Sequence, residues 1–353
     1  TPPMRVVITG ATGNVGTSLL RALGDEPAVD SITGIARRVP AISYPKTTWA
    51  RADVARDPLV QHFRGADVVV HLAWLIQPSR DARALRAVNV DGSRRVFEAA
   101  ADAGVPALVY ASSVGAYSPG PKDRLVDESW PIGGVSSSFY SRHKAETEQI
   151  LDVFEQDVPS TRVVRLRPAL IFKRDAASGV RRLFAGPFLP ASLLRRRLIP
   201  VIPNVPRLAF QAVHSLDVGE AYRLAITRPV RGAFNIAADP VLDPHELADL
   251  FDARPLEVSP GLVRAVTNLT WRMHLQPTPP GWVDLALQSP LLDSTRARDE
   301  LGWAPGYTAR EALADLIDGM RAGAGIETPP LAPSAGGPAR IKEILTGVGR
   351  RNP

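Results

Sequence analysis

The sequence predicts an α/β protein whose core is a doubly wound parallel β-sheet. Short apolar, β-branched segments alternate with segments of helical periodicity through the first half of the chain, which is the pattern of a sheet covered by helices on both faces. A glycine-rich turn at residues 10–16 separates the first apolar segment from the first helical one. A third observation is the pair Tyr140 and Lys144, which a helix would place on the same face.

Six segments are predicted as strands of this sheet. The first, residues 5–9, contains three consecutive β-branched residues, as expected of a strand buried on both faces. Right-handed crossovers would bring the carboxyl ends of the strands to one edge, together with Gly10 and Ser113. The other predicted strands are residues 31–36, 47–52, 68–72, 107–112 and 161–167, and the helices between them include residues 93–103 and 141–154.

The turn at residues 10–16 reads Gly-Ala-Thr-Gly-Asn-Val-Gly. Its glycines would let the backbone approach a pyrophosphate, and the following helix would offer its first amides and the positive end of its dipole. The turn therefore predicts a dinucleotide cofactor at the sheet edge. The residues expected to contact the cofactor here are Gly10, Thr12, Gly13, Asn14, Val15 and Gly16.

The tyrosine and the lysine are candidates for proton chemistry. A cation near a phenol favours the phenolate, so Lys144 would make Tyr140 a proton shuttle near neutral pH. The same spacing arises by chance on solvated helices. The glycine turn and the upstream run Ala111-Ser112-Ser113 support a functional interpretation of the spacing.

Composition limits the alternatives. The 353 residues are 45% hydrophobic and 22% charged, which is ordinary for a soluble globular protein of one large or two modest domains. The net charge of +6 comes mainly from arginine and is accompanied by no nucleic-acid-binding motif, so no nucleic-acid partner is expected. The absence of cysteine excludes disulfides, thiolate metal sites and cysteine catalysis, and no metal site is predicted. With no apolar run of about 20 residues and no signal peptide before Met4, a cytoplasmic location is expected.

Taken together, these motifs resemble the extended, epimerase-like branch of the short-chain dehydrogenase/reductase superfamily, the NAD-dependent epimerase/dehydratase family. The resemblance runs from about residue 4 to about residue 322. Further segments that fit the family are Ala52-Asp53-Val54, Val70-His71-Leu72-Ala73, Val88-Asn89-Val90, Leu166-Arg167-Pro168, Val213-His214 with Asp217-Val218, and Leu301-Gly302-Trp303-Ala304-Pro305.

The resemblance implies a Rossmann domain with a smaller C-terminal substrate-binding lobe. The dinucleotide-binding domain would comprise residues 4–170, with segments near 207–238 and 281–295 returning to it. Residues 171–325 would form mainly the substrate-binding lobe, and residues 326–353 a tail rich in proline and glycine. Members of the family commonly dimerise through the helix that would carry Tyr140, so a homodimer is expected.

The resemblance also implies roles for the site residues. Tyr140 would be the general acid or base while a hydride passes to or from nicotinamide, and Lys144 would lower the pKa of Tyr140 and bind the nicotinamide ribose. Ser113 would hold the substrate oxygen, with Ser112 as the alternative. The further cofactor contacts would be Asp53, Val54, Leu72, Ala73, Asn89 and Pro168. By the same resemblance Asn89 would steady the active-site backbone, although it would also suit a helix start, and Asp53 would also suit a turn.

The end of the second predicted strand bears on the choice between NAD and NADP. Family members that prefer NAD carry an acidic residue there, where this chain has Ala36. Arg37 and Arg38 follow, and guanidinium groups suit a 2′-phosphate. The sequence therefore favours NADP, unless these arginines are simply solvated.

The substrate is less well indicated. Sugar-nucleotide epimerases of this branch place an arginine where this chain has Phe210, and Arg207 is offset by three residues. Ser113-Val114-Gly115 replaces the Thr-Asp-Glu triplet of the dehydratases. A nucleotide-sugar-epimerase-like enzyme or a ketone reductase is expected, acting on a small molecule.

Two alternatives to these activities stay open. One is a non-catalytic dinucleotide-binding sensor, although such relatives generally lack the tyrosine or the lysine. The other is a steroid- or lipid-type dehydrogenase at a membrane surface. It is suggested by the apolar residues 183–202, which include the cluster of Arg195, Arg196 and Arg197, and by the apolar residues 262–292. A solvated flap of the substrate lobe is the simpler interpretation of that arginine cluster.

Overall fold

The computed structural model describes residues 3–76, 80–178, 200–273, 275, 278–328 and 330–331. Seven parallel strands form its central sheet in the order β11-β7-β5-β4-β1-β2-β3. The direction of winding reverses between β1 and β4, so the carboxyl ends of these two strands flank a crevice. The strands are β1 (Met4–Thr9), β2 (Val29–Ala36), β3 (Thr47–Arg51), β4 (Val68–His71), β5 (Ala107–Ala111), β7 (Arg162–Pro168) and β11 (Gly232–Ile236).

Helices cover both faces of the sheet. On one face, α1 (Asn14–Gly24) and α6 (Ser215–Thr227) pack on a cluster that includes Val6 and Ile8. On the other, Val7 belongs to a cluster with residues of α2, α4 and α5. Neighbouring residues of β1 thus point to opposite faces, and both faces are buried. The helices of this second cluster are α2 (Val60–Phe63), α4 (Gly92–Asp102) and α5 (Phe139–Asp157), and α3 (Ala82–Arg86) precedes α4 in the chain.

The six predicted strands are all present, with ends that differ by at most two residues from the prediction. The seventh strand, β11, comes from the segment that was expected to return to the Rossmann domain. The α/β class and the doubly wound parallel sheet are therefore confirmed.

The start of the helix around Asn89 differs from the prediction. The helical run begins at Ala82, where the Asp81 carboxylate accepts a hydrogen bond from the backbone N–H of Ala84 at 3.0 Å. A π-helical turn, Ala87–Asp91, joins α3 to α4. Asn89 lies in that turn and does not open a helix, because its side chain is engaged by a neighbouring loop.

Shorter sheets and further helices follow β7. Strand β10 (Phe210–His214) lies between β8 (Leu170–Phe172) and β12 (Ala238–Leu242), and this sheet packs against α10 (Ala309–Ala322). The remaining pairs are β9 (Val201–Asn204) with β13 (Arg254–Glu257), and β6 (Leu125–Val126) with β14 (Leu291–Leu292). The remaining helices are α7 (Pro244–Phe251), α8 (Pro260–Arg272) and α9 (Gly281–Gln288).

The Leu-Gly-Trp segment attaches the residues that follow α9 to the Rossmann part. Trp303 is buried, and its indole N–H donates to the carbonyl of Asp217 in α6 at 2.8 Å. Gly302 has a φ of 68°, which favours glycine, and a side chain there would also collide with Arg228.

Two predicted segments fall wholly or partly outside the described residues. These are most of the apolar segment 183–202, with its arginine cluster at residues 195–197, and most of the tail, residues 326–353. Within the described part of the chain, no helix is both long enough and apolar enough to cross a membrane.

A buried ionic network fixes α5 against the sheet. The carboxylate of Glu148 in α5 accepts hydrogen bonds from Arg165 at 2.8 Å and from Arg167 at 2.8 and 3.0 Å, both in β7. The Ser112 hydroxyl donates to the same carboxylate at 2.5 Å. Burial alone would raise the pKa of Glu148, but the two guanidinium groups outweigh it and lower the pKa from 4.5 to about 2.

Replacing Glu148→Ala should destabilise the fold by about 3–5 kcal/mol, because Arg167 and Arg165 would lose a buried carboxylate. The measurement is chemical denaturation followed by circular dichroism, with Gln149→Ala on the exposed side of the same helix as the control. Since the pKa is lower in the folded state, the contribution of Glu148 is complete above about pH 4.5 and declines as the pH falls towards 2. Equal stability of the two variants would contradict this account.

Candidate functional site

The glycine turn leaves a helix terminus open for an anion. Gly13 is the residue before α1, no side chain caps this helix, and its first turn contains no acidic residue. Gly10, with a φ of 72°, and Gly16 are required by close packing, because a Cβ at either would lie within 2.6 Å of backbone atoms. At Gly13 a Cβ would come no closer than 3.5 Å to any protein atom. The backbone amides of α1 are therefore accessible to a phosphate, as a dinucleotide requires.

The other predicted residues of the turn are partly engaged by the protein. The Asn14 amide donates to the carbonyl of Ile171 at 3.3 Å, while its buried oxygen has no hydrogen-bond partner among the described residues. The Thr12 carbonyl accepts from the Thr328 hydroxyl at 2.9 Å. Val15 packs against the core. The unsatisfied oxygen of Asn14 is a further sign that this turn is built for a ligand.

The ends of β2 and β3 carry the residues predicted to select the cofactor. Arg37 and Arg38 are exposed just after β2. Asp53 accepts from the backbone N–H of Ala55 at 3.0 Å and forms an ion pair with Arg56, so it acts as a turn residue in this structure. Burial raises the pKa of Asp53, but these hydrogen bonds and the charge of Arg37 together lower it. Buried Val54 lies beside Asp53.

The structure brings Ser113 and Tyr140 together and separates them from Ser112. The Ser113 side chain lies beside the Tyr140 ring next to Gly115, and its oxygen accepts from the backbone N–H of Gly115 at 3.0 Å. A Cβ on Gly115 would lie only 2.8 Å from the Tyr140 ring, so glycine lets the ring sit over this turn. Because Ser112 is bound to Glu148, the geometry favours Ser113 as the serine of this site.

Lys144 lies one helical turn beyond Tyr140, in a nearly closed environment. Its ammonium donates to the carbonyl of Ala111, at the end of β5, at 2.7 Å and lies 3.6 Å from the centre of the Trp74 ring. Burial lowers the pKa of Lys144 to about 7, although the charge of Glu148 acts in the opposite direction. The Lys144 ammonium is thus easily deprotonated near neutral pH.

The pKa of Tyr140 differs from the expectation. Burial raises it above its usual value of 10, and the hydrogen bond with Ser113 offsets only part of that effect. The predicted lowering of this pKa by Lys144 is therefore not seen in the protein alone. The physical reason is that the phenol is enclosed by aromatic rings, which solvate a phenolate poorly.

Two tryptophans that the sequence did not single out enclose the phenol. The ring centre of Trp74 lies 6.1 Å from that of Tyr140, and the ring centre of Trp282 lies 5.2 Å from it. Trp74 comes three residues after β4, on the expected edge, so its position could have suggested a role. Trp282 comes from α9, and nothing local in the sequence connects it with Tyr140.

Asn89 and His71 hold the loop after β4. The Asn89 amide donates to the carbonyl of Leu75 and its oxygen accepts from the N–H of Leu75, both at 2.7 Å. His71 lies between the hydroxyls of Thr9 at 2.7 Å and Ser93 at 2.8 Å, and burial lowers its pKa to about 3, so it is neutral. These contacts fix the backbone that leads to Trp74.

The remaining predicted positions lie at the same sheet edge or close to it. Leu72 and Ala73 follow β4, and both donate backbone hydrogen bonds to Thr9, next to Gly10. Pro168 ends β7, where it pairs with Ile236.

Phe210, at the start of β10, packs towards the core of the smaller sheet, and Arg207 is exposed in the preceding turn.

The glycine turn and the order of the parallel strands define the Rossmann type of nucleotide-binding fold. The sequence profile of the NAD dependent epimerase/dehydratase family matches residues 6–237, which is more than half of the chain. The chain belongs to this family, and the resemblance seen in its motifs is confirmed.

Two relatives with curated sequences illustrate the range of the family. An uncharacterised protein of Mycobacterium tuberculosis is 28% identical over 327 residues, which cover 92% of this chain and 31% of the relative. The chain thus spans about a third of the length of that relative. A protein of Stigmatella aurantiaca named 4-hydroxy-2-methyl-3-oxo-4-farnesyl-3,4-dihydroquinoline-1-oxide ketoreductase is 26% identical over 342 residues, which cover 91% of this chain and 98% of that protein.

Solved structures of similar fold include two sugar-nucleotide epimerases. The UDP-glucose 4-epimerase of Thermotoga maritima, determined with UDP-glucose, has a TM-score of 0.68 and 18% identity. The UDP-glucuronic acid 4-epimerase of Bacillus cereus, in complex with UDP-glucuronic acid and NAD, has a TM-score of 0.67 and 16% identity. Each comparison covers 90% of this chain and 99% of the other. At these identities the similarity establishes the fold.

The close contact at Gly115 leads to a prediction. Gly115→Ala should displace the Tyr140 ring and destabilise the protein by about 1–3 kcal/mol, because the new methyl group has no room. The near-ultraviolet circular dichroism of the coupled Tyr140 and Trp282 rings should change with it. Gly261→Ala, where a Cβ meets nothing within 4 Å, is the control and should preserve the spectrum. An unchanged spectrum in Gly115→Ala would show that the ring does not depend on this contact.

Proposed function

We propose that this chain is an NAD(P)-dependent oxidoreductase that interconverts a ketone and a secondary alcohol. The observation that carries the proposal is the position of Ser113 beside the Tyr140 ring, with Lys144 one turn away, at the same sheet edge as the glycine turn. Membership of the epimerase/dehydratase family supports it. The presence of both the tyrosine and the lysine disfavours a purely dinucleotide-sensing role.

The dinucleotide would lie along the carboxyl edge of the sheet. The amides at the start of α1 would hold its pyrophosphate, and Asp53 with Val54 would lie on the adenosine side. Lys144 and Tyr140 would bind the nicotinamide ribose, close to the residues that follow β4 and β7, which are Leu72, Ala73 and Pro168. Bound nicotinamide supplies or accepts the hydride.

Tyr140 would donate the proton in the direction of ketone reduction. Because burial raises the pKa of Tyr140, the phenol is protonated at neutral pH and can act as a general acid. The Ser113 hydroxyl would hold the substrate oxygen beside it. A protonated Lys144 would stabilise the phenolate that remains after proton transfer. The ketone thus gains one hydride and one proton to become the alcohol.

Replacing Tyr140→Phe should lower turnover by about 10²–10⁴-fold, because it removes only the hydroxyl group that transfers the proton. The assay follows oxidation of the reduced nicotinamide with a panel of ketones. Dinucleotide affinity should fall by about tenfold at most, because a single hydroxyl contact to the ribose is lost, and the circular dichroism spectrum should be preserved. Tyr307→Phe, on a partly exposed tyrosine that stacks on His214, is the control. Turnover retained in Tyr140→Phe would remove this residue from the mechanism.

A net ketone reductase agrees better with the site than an epimerase does. The ketoreductase of Stigmatella aurantiaca matches over almost its whole length, and Phe210 occupies the position where an arginine is expected for a sugar nucleotide. A sugar-nucleotide epimerase is the second candidate, supported by the solved structures that hold UDP-sugars. The two differ in that an epimerase leaves the total amount of reduced nicotinamide unchanged.

We further propose that NADP is preferred over NAD. The support is Ala36 at the end of β2, where an acidic residue would bind a ribose hydroxyl, followed by two exposed arginines. A guanidinium suits the 2′-phosphate as a charge-assisted, bidentate partner.

The double variant Arg37→Ala and Arg38→Ala should weaken NADPH binding by roughly tenfold or more and change NADH binding little, since a hydrogen bond to a charged group contributes about 1.5–3 kcal/mol. Fluorescence titration with each dinucleotide measures both. The exposed Arg51→Ala is the control. Equal affinity of the unchanged chain for NADH and NADPH would contradict the proposed preference.

The domain division made from the sequence is part of this proposal. Residues 4–170 would bind the dinucleotide, with the returning segments near 207–238 and 281–295, and residues 171–325 would mainly bind substrate. The homodimer and the cytoplasmic location stay predictions.

A further inference from the structure

A cavity of about 390 Å³ lies between α8 and α9. Val263 and Val266 line it from α8, Val283 and Leu287 from α9, and Leu208 from the turn before β10. Among the described residues, no charged side chain lines this cavity. Its size lies within the range of small-molecule sites, and its lining is mostly apolar.

The hydroxyl groups in the lining leave the cavity mostly apolar. They belong to threonines, and that of Thr270 donates to the carbonyl of Val266 on its own helix at 2.8 Å. That proton is used within α8. A diphosphate placed here would exchange its water for a surface with no cation among the described residues, which is strongly unfavourable.

The cavity adjoins the proposed catalytic tyrosine. Trp282 lines the cavity, and the centre of its ring lies 5.2 Å from the ring centre of Tyr140. The start of α9 fits tightly against the residues before α5, since a Cβ on Gly281 would lie 2.3 Å from the carbonyl oxygen of Ser137. One wall of the cavity is therefore held against the start of the helix that carries the phenol.

Asp284 joins the three helices around this cavity. Its carboxylate accepts from the Ser137 hydroxyl at 2.6 Å, just before α5, and from the Arg264 guanidinium of α8 at 3.0 and 3.2 Å. Asp284 is nearly buried, which strengthens both interactions. The cavity is thus an open-sided space next to Trp282, bounded by helices that are linked to α5.

We propose that this cavity holds a hydrocarbon portion of the substrate, so that the ketone or alcohol group at Tyr140 belongs to a largely apolar molecule such as a long-chain, isoprenoid or alicyclic ketone. The inference rests on the proposed function and specifies its substrate class. It places the apolar group next to Trp282, whose ring also lies beside Tyr140, and it excludes a nucleotide diphosphate from the same space.

The test uses the full chain and a neutral fluorophore, N-phenyl-1-naphthylamine. The probe should bind, and 2-hexanone, 2-octanone and 2-decanone should displace it with affinity that rises by up to about fourfold per methylene group. UDP-glucose should not displace it. Displacement by UDP-glucose, or equal competition by the three ketones, would overturn the proposal.

Variants locate the binding to the cavity. Val263→Asp puts a charge into the lining and should weaken probe binding at least tenfold. Leu262→Asp, one residue away on the same helix and 57% exposed, is the matched control and should change binding less than twofold. Val283→Phe, which fills the cavity from α9 without a charge, should also weaken binding and decides the matter if Val263→Asp does not fold. Unchanged binding in Val283→Phe would contradict the proposal.

Measurements of turnover distinguish this inference from the proposed function. Tyr140→Phe should retain probe binding and ketone competition while losing turnover. If the unchanged chain binds the ketones as described but reduces none of them with either dinucleotide, the proposed function is wrong and the apolar site stands. If it reduces small ketones such as 2-butanone as efficiently as 2-decanone, the apolar site is wrong and the proposed function stands.

Discussion

The site depends on the ionic interactions of the buried Glu148 carboxylate. This carboxylate binds two arginines of β7 and the hydroxyl of Ser112, and so fixes α5 along its length and in its rotation relative to the sheet. Tyr140, Lys144 and Glu148 follow one another at intervals of four residues, so the same face that holds the network presents the phenol and the ammonium. Such a network is costly to bury and costly to disrupt, and it therefore specifies one position of the helix.

This position has electrostatic consequences. Aromatic rings and the end of β5 enclose both titratable groups, so burial raises the pKa of Tyr140 and lowers that of Lys144 to about 7. Both pKa shifts favour the uncharged form of the side chain. Glu148 partly restores the charge of Lys144, since its carboxylate lies one turn further along α5. The phenol is consequently protonated at neutral pH, and on our proposal it acts as the acid while a protonated Lys144 stabilises the phenolate that remains.

One of the aromatic rings around Tyr140 also lines the cavity proposed for the substrate. Trp74 lies against Tyr140 from the loop after β4, and Trp282, which also lies against Tyr140, lines the cavity between α8 and α9. Asp284 links both of these helices to the start of α5. Apolar surroundings thus raise the pKa of the phenol and, on our proposal, also select the substrate.

The sequence by itself determined the strands, the glycine turn and the pairing of Tyr140 with Lys144. Each depends on residues close together in the chain: β-branched runs form strands, glycine permits a close backbone approach, and a spacing of four aligns side chains on a helix. Only the tertiary structure decided that Ser112 binds Glu148 while Ser113 lies beside Tyr140, and that burial sets the direction in which the pKa of the phenol shifts. It also brought Trp282 to Tyr140, 142 residues apart in the chain. These features depend on packing between distant segments, which no local pattern encodes.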